Sequence, residues 1–276
     1  MKKILALLLT ACLAITVLTG CGAAPAENTD VSQEPTAAPT ETVESEPVDT
    51  LPLEGHTLRV FCGAGMKKAF EEIAAAFEAE TGCTMEVSYA NAAQIQTQIN
   101  TAQEGDFFIA GSQGELKPVE AMVAEATPLV KHIPVLAVQP GNPKNIHSAA
   151  NLAGEGVRMV IGDPEATPIG KIAMKLFQDH DLTDKVDIVS NTATAPAMNQ
   201  ALAGDECDVI LVWKENVNPE TAEIVETADM DAYVKNIPAA RLTCSADAEA
   251  ADGFADFLAG DAAKEIWMSF GYELAA

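Results

Sequence analysis

The chain has 276 residues, of which 48% are hydrophobic, and its formal net charge at pH 7 is −25. This charge argues against nucleic acid as a partner and against electrostatic attachment to anionic lipid, because both are themselves negative. Any site for an anion must therefore work through local dipoles against an unfavourable overall field.

The first residues have the pattern of a secretory signal. Lys2 and Lys3 precede an apolar run over residues 4–18, which is shorter than the roughly 20 residues of a typical membrane-spanning helix. The run ends in Leu-Thr-Gly-Cys21, which resembles the bacterial lipobox, in which the Cys is acylated. We expect residues 1–20 to be a lipoprotein signal peptide and Cys21 to anchor the protein in the bilayer, on the extracytoplasmic face of the cell membrane. The alternative is a plain secretory signal with an incidental Cys.

Residues 21–54 have a different composition. From residue 22 onward they are mainly Pro, Thr, Ala, Ser and acidic residues, with no Lys, Arg or aromatic residue. Such a segment cannot bury enough apolar area to offset the entropy lost on ordering. We expect a disordered acidic tether here and a folded part over residues 55–276.

The folded part alternates between strand and helix patterns. Strands are predicted at 57–62, 84–89, 106–110, 132–138, 157–161, 186–189, 207–212 and 237–243. Helices are predicted at 66–81, after Asn91, at 115–124, at 148–153, after Pro168, and at 195–203, 248–258 and 262–270. This alternation indicates an α/β fold with parallel sheets covered by helices on both faces.

Two extended segments, 133–138 and 237–243, look like crossovers between two lobes. The predicted fold is therefore two doubly wound α/β lobes joined by two crossover segments. Lobe 1 would comprise residues 55–133 and 239–276, and lobe 2 residues 134–238.

The cysteines of the folded part are not expected to form disulfides. Cys62 and Cys83 fall at opposite ends of neighbouring parallel strands, farther apart than the roughly 4.4–6.8 Å between Cα atoms that a disulfide needs. Cys207 and Cys244 belong to separate units. We expect free and mostly buried thiols, and Cys62 is interpreted as a small core residue rather than a nucleophile.

Four loops that follow predicted strands lead directly into helices. They are Gly63-Ala64-Gly65, Asn91-Ala92-Ala93, Pro168-Ile169-Gly170 and Thr194-Ala195-Pro196. Ligands of open α/β sheets bind at this end of the strands, and free N–H groups at helix N-termini favour anions. The pattern therefore predicts a cleft that binds a compact anion. Lys67 and Lys68, in the first turn of one helix, either flank an anion entrance or form an ordinary solvated surface.

The sequence resembles the molybdate-binding proteins of ABC importers, within the class II, two-lobed solute-binding proteins. The resemblance covers nearly all of residues 57–276. Its most specific motif is Gly162-Asp163-Pro164-Glu165 followed by Pro168 and Gly170. Further matches are Val60-Phe61, residues 88–99, 106–109 and 208–213, residues 262–266, and Phe270-Gly271-Tyr272.

The resemblance implies a site for an oxyanion in the four loops, completed by an aromatic residue at a strand end. The corresponding residues are Gly65, Met66, Ala92, Ala93, Ile169, Gly170, Ala195 and Trp213. Two Ser of the family are replaced by Gly65 and Ala92, and its Tyr by Trp213, whose indole only donates a hydrogen bond. Each lost hydroxyl would cost about 1–3 kcal/mol unless replaced, and Asn91, Ser112, Thr167 and Thr194 are candidate replacements.

The resemblance implies a monomeric binding protein that hands molybdate or tungstate to a membrane permease with its ATPase. No cofactor and no catalytic residues are expected. No metal site built from side chains is expected either, since the four His residues lack the spacing to Cys or carboxylates that metal sites have. The alternatives are another small anion or an organic solute in the same cleft, a soft metal at Cys62 and Met66, or a surface-anchored enzyme.

Overall fold

The computed structural model describes residues 51–275. The expected signal peptide, Cys21 and most of the expected tether lie outside these residues. The strands are β1 (Thr57–Gly63), β2 (Thr84–Ala90), β3 (Phe107–Ile109), β4 (Val123–His132), β5 (Pro134–Val138), β6 (Arg158–Gly162), β7 (Asp187–Thr192), β8 (Val209–Trp213), β9 (Glu223–Ile224), β10 (Lys235–Leu242) and β11 (Glu273–Leu274). The α-helices are α1 (Lys67–Thr81), α2 (Ala92–Ala102), α3 (Pro168–Asp179), α4 (Ala195–Ala203), α5 (Ala248–Ala259) and α6 (Asp261–Ser269).

The strands form two sheets, one in each lobe. The first has the order β11-β4-β10-β3-β1-β2 and the second β7-β6-β8-β5-β9. The predicted two-lobed α/β fold is confirmed, but the prediction of purely parallel sheets is wrong. In the first sheet β10 and β11 pair antiparallel, and in the second β5 does so. These strands belong to the passages between lobes and to the C-terminus, so no helical crossover within one sheet imposes a parallel direction on them.

The first sheet is covered on both faces, as expected. Along β1, Val60 and Cys62 face a core shared with α1, α5 and α6, whereas Phe61 faces a second core under α2. This alternation follows from the two-residue period of a strand. The second sheet packs its helices around a separate core, to which α3 contributes a buried face with Leu176 and Phe177.

The chain passes between the sheets twice, each time within one residue. Ile133 separates β4 in the first sheet from β5 in the second, and Val234 separates the 3-10 helix Ala228–Tyr233, packed in the second core, from β10 in the first sheet. The expected segments 133–138 and 237–243 are mostly strand within one sheet, since β5 pairs with β8 and β10 with β4, and each passage lies just before its strand. We propose lobe boundaries at Ile133 and Val234, which moves the second boundary from 238 to 234.

Two local predictions are also corrected. The expected helix at 115–124 is the 3-10 helix Gln113–Met122, irregular around Pro118, and β4 follows where no strand was predicted. Most of β4 is exposed or half-buried, so it lacks the apolar alternation that marks a strand. Residues 51–54 were assigned to the tether, but Leu53 packs into the first core and its N–H donates to Thr81 O at 2.8 Å.

The four thiols within residues 51–275 are free, as predicted. Cys62, Cys83 and Cys207 are buried and Cys244 is partly buried. Burial raises the pKa of the Cys62 thiol well above its usual value, which disfavours the reactive thiolate. No helix in this part of the chain is long and apolar enough to cross a bilayer.

Candidate functional site

The start of α1 forms one wall of a large cavity. β1 ends at Gly63, and the 3-10 turn Ala64–Met66 leads into α1 without a side-chain cap. Gly65 is exposed, whereas the Met66 side chain is buried in the first core. Because no side chain caps this turn, its backbone N–H groups are available to a ligand.

The start of α4 forms the opposite wall, from the second lobe. Thr194 Oγ1 accepts a hydrogen bond from Ala197 N at 3.4 Å, and Pro196 has no N–H, so the Ala195 amide remains for a ligand. Asn199, a buried residue one turn later, fixes this end of the helix. Its Nδ2 donates to Ala195 O and Asn216 O, both at 2.9 Å, which ties α4 to the loop after β8.

The cavity between these walls has a volume of about 920 Å³. It is lined by Ala64, Gly65, Lys67, Lys68, Ala69, Ala195, Pro196, Asn199, Gln200, Ala203, Glu215, Asn216, Val217, Asn218, Pro219, Thr221, Phe270 and Tyr272. Of the eight residues predicted for the ligand site, Gly65 and Ala195 line it. Residues at two helix starts, one from each lobe, thus line the same space.

The other two loops are not among the lining residues. At the start of α2, Asn91 Oδ1 accepts from Gln94 N at 3.0 Å, and neither Ala92 nor Ala93 is among the lining residues. At the start of α3, Gly170 N donates to Thr167 Oγ1 at 3.0 Å. The Gly170 amide is therefore already used within the helix cap, which leaves Ile169 as the candidate donor of that loop.

Gly170 has a packing role that follows from its missing side chain. A Cβ there would lie 2.3 Å from Gly162 O and 2.4 Å from Asp163 O. Thr167 Oγ1 also donates to Asp163 O at 2.8 Å. The motif Gly162 to Gly170 thus brings the start of α3 against the end of β6.

Trp213, the residue in place of the family's Tyr, contacts another side chain rather than the cavity. Its indole stacks on the His132 ring, with centroids 3.5 Å apart and planes at 20°. Its neighbours in the chain, from Glu215 onward, are the ones that line the cavity.

Sequence reasoning missed several wall residues, chiefly Glu215, Asn199 and Tyr272. The Glu215 side chain is only 5% exposed, and its Oε1 lies 3.0 Å from His132 Nε2. Burial, followed by the charge of Glu215, raises the pKa of Tyr272. Tyr272 belonged to a motif of the resemblance, but no local pattern marked Glu215 or Asn199 as cavity residues.

The wall carries charges of both signs. Lys67 and Lys68 line it, and both are exposed. Lys67 Nζ lies 5.4 Å from the Tyr89 ring centroid and 3.4 Å from Glu71 Oε1. Among residues 51–275, no group of three or more His, Cys, Asp or Glu side chains is arranged to hold a metal ion.

Comparison with known proteins agrees with this architecture. A binding protein of Haemophilus influenzae is 32% identical over 171 residues, covering 60% of this chain and 69% of that protein. The molybdate-binding protein ModA of Escherichia coli is 26% identical over 232 residues, covering 79% of this chain and 89% of ModA. The match to ModA confirms the resemblance to molybdate-binding proteins found in the sequence.

A solved structure has the same fold. The substrate-binding domain of a molybdenum ABC transporter from Clostridium difficile superimposes with a TM-score of 0.68 at 22% identity, covering 80% of this chain and 99% of that domain. The family model of bacterial extracellular solute-binding proteins matches residues 58–273. This family is defined by solute binding and not by a catalysed reaction. The chain therefore belongs to the bacterial extracellular solute-binding protein family.

Proposed function

We propose that this protein is the binding component of an ABC importer and that it binds molybdate or tungstate in the cavity between α1 and α4. The observation that carries the proposal is the meeting of two helix N-termini, one from each lobe, at one cavity. Each N-terminus carries about half a positive elementary charge. Residues at both helix starts line this space, in a chain whose formal net charge is −25.

The proposed ligand contacts are mainly backbone amides. Those of Gly65, Met66 and Ala195 lie at the starts of α1 and α4, and Lys67 and Lys68 add positive charge. The amides of Ala92, Ala93 and Ile169 and the indole of Trp213 remain predicted contacts. They would join the site as the lobes close about the single-residue crossovers at Ile133 and Val234, in the manner of hinge closure.

We further propose that the protein works outside the cell membrane as a monomer. Acylated Cys21 would hold it to the bilayer, and the acidic segment before residue 51 would act as the tether. The closed, loaded form would be recognised by the permease and its ATPase. This assignment rests on the lipobox and on the resemblance to importer proteins.

Titration calorimetry with molybdate, tungstate, sulfate and phosphate tests the ligand class. We expect heat of binding with molybdate and tungstate. Absence of heat with all four anions would refute the oxyanion proposal and leave the family assignment in place.

A variant that introduces a negative charge tests the location of the ligand site. Ala195→Asp places a negative charge at a helix N-terminus, where it is tolerated by the helix but repels an anion. We expect it to weaken binding by about a hundredfold, the upper range for coupling between two sites. Ala75→Asp, at an exposed position on α1 outside the cavity, is the matched control and should bind like the natural protein.

The second candidate is a small organic anion in the same cavity. The volume of about 920 Å³ lies near the top of the roughly 300–1,000 Å³ typical of pockets for organic ligands. Thermal-shift measurements with small carboxylates and phosphate esters test it. Stabilisation by these compounds, without stabilisation by molybdate, would favour this candidate over the first.

A further inference from the structure

His132 occupies the junction between the lobes. It is the last residue of β4, directly before the crossover at Ile133. Its ring stacks on Trp213 of the second lobe, and its Nε2 lies 3.0 Å from Glu215 Oε1. Its side chain is 13% exposed, so both contacts are largely shielded from water.

The two ring nitrogens both face hydrogen-bond acceptors. Nδ1 lies 3.3 Å from Gly111 O, and Nε2 faces the Glu215 carboxylate. A neutral imidazole has one N–H and can donate to only one of these groups, whereas the protonated ring donates to both. The geometry therefore fits the protonated ring better than the neutral one.

The other charged groups around the ring bond to other partners and do not neutralise Glu215. Glu115 Oε2 accepts from Gly111 N at 2.8 Å, and burial raises the pKa of the Glu115 carboxyl. Lys131 and Lys214, on either side of the crossover, both bind Glu273 rather than Glu215. The remaining titratable neighbour is Tyr272, the phenol close to Glu215. A protonated His132 ring is therefore the cation placed to pair with Glu215.

Glu215 is also part of the cavity wall. With His132 neutral, its carboxylate presents an uncompensated negative charge to the ligand. With His132 protonated, the pair is neutral overall, and the helix N-termini and lysines dominate the local field. The protonation state of one ring thus decides whether the wall repels an anion.

We propose that His132 is a positioning residue that couples anion binding to proton uptake, by neutralising Glu215 and holding it and Trp213 at the junction of the lobes. This inference rests on the proposed function, because it concerns the same cavity. It predicts that anion affinity falls as the pH rises and the ring gives up its proton.

The test is molybdate calorimetry from pH 6.0 to 8.5, where the ligand stays a dianion. We expect the dissociation constant of the natural protein to rise about tenfold across this range, within the usual range for coupled sites. Glu215→Gln should bind tightly at every pH. His132→Phe, which keeps an aromatic ring on Trp213 but leaves Glu215 unpaired, should bind weakly at every pH. The double variant should regain the tight, pH-independent binding of Glu215→Gln.

The outcomes separate this inference from the proposed function. Molybdate binding with the same pH profile in the natural protein and in Glu215→Gln would overturn the inference and leave the proposed function standing. No binding by either protein at any pH would overturn both. Circular dichroism checks the fold of each variant, and if His132→Phe does not fold, the profile of the isosteric Glu215→Gln decides alone.

Discussion

Replacement of Gly170 by Ala should destabilise the protein, although Ala is the better helix former. The added Cβ would lie 2.3 Å from Gly162 O and 2.4 Å from Asp163 O. Both neighbours are backbone atoms at the end of β6, so the clash is relieved only if α3 moves away from the sheet.

The expected size follows from two opposing effects. Overpacking in a well-packed site costs about 1–3 kcal/mol. Because the neighbours here are rigid backbone atoms, we expect a cost at the upper end of that range. Ala in place of Gly within a helix returns about 1 kcal/mol. We therefore expect Gly170→Ala to lower the free energy of unfolding by about 2 kcal/mol.

Urea unfolding followed by circular dichroism measures this change. Gly65→Ala is the matched control, because a Cβ at that position would have no heavy atom within 4 Å. Its stability should stay within about 0.5 kcal/mol of the natural protein, as for most surface changes. A Gly170→Ala variant with the same unfolding midpoint as Gly65→Ala would refute the argument that α3 contacts the end of β6 this closely.

Three further changes test other features, each by thermal or urea unfolding. Thr167→Ala should cost about 1 kcal/mol, because it removes the side-chain cap of Gly170 N, and Thr167→Ser should not. Trp267→Ala should cost about 3–5 kcal/mol, and Trp267→Phe clearly less, because the buried Nε1 lacks a partner among the described residues. Burial alone would raise the pKa of Asp208, but hydrogen bonds from Arg158 outweigh it and hold that pKa below its ordinary value. This stabilisation is present above the unfolded pKa of about 3.9 and is lost as the pH falls through the folded pKa, so Asp208→Asn should lose less stability on acidification.

Each of these changes has a clear contrary result. Equal stability of Thr167→Ala and Thr167→Ser would show that the hydroxyl does not cap α3. Equal losses for the two Trp267 variants would show that the ring contacts with Phe70 and Tyr272 contribute little. An unchanged acid profile in Asp208→Asn would remove Asp208 as a source of the pH dependence.

Local sequence patterns determined the elements whose burial repeats with the period of a helix or strand. The strand at 57–62 and the helix after Pro168 were predicted, and in the structure the centre of β1 and the face of α3 with Leu176 and Phe177 are buried. Helix starts were also predicted, and in the structure Thr167 caps one of them by accepting from an amide three residues away. These interactions join residues that are close in the sequence, so a local pattern contains all the residues that specify them.

The tertiary structure alone decided the passages between lobes and the cavity wall. β4 exists as a strand because it pairs with β10, more than a hundred positions later, and its own residues lack a strand pattern. Glu215 is positioned by contacts with His132 and Gly271, which belong to the other lobe. Contacts between distant segments depend on how the two sheets meet at the crossovers, and no spacing within a single segment encodes that arrangement.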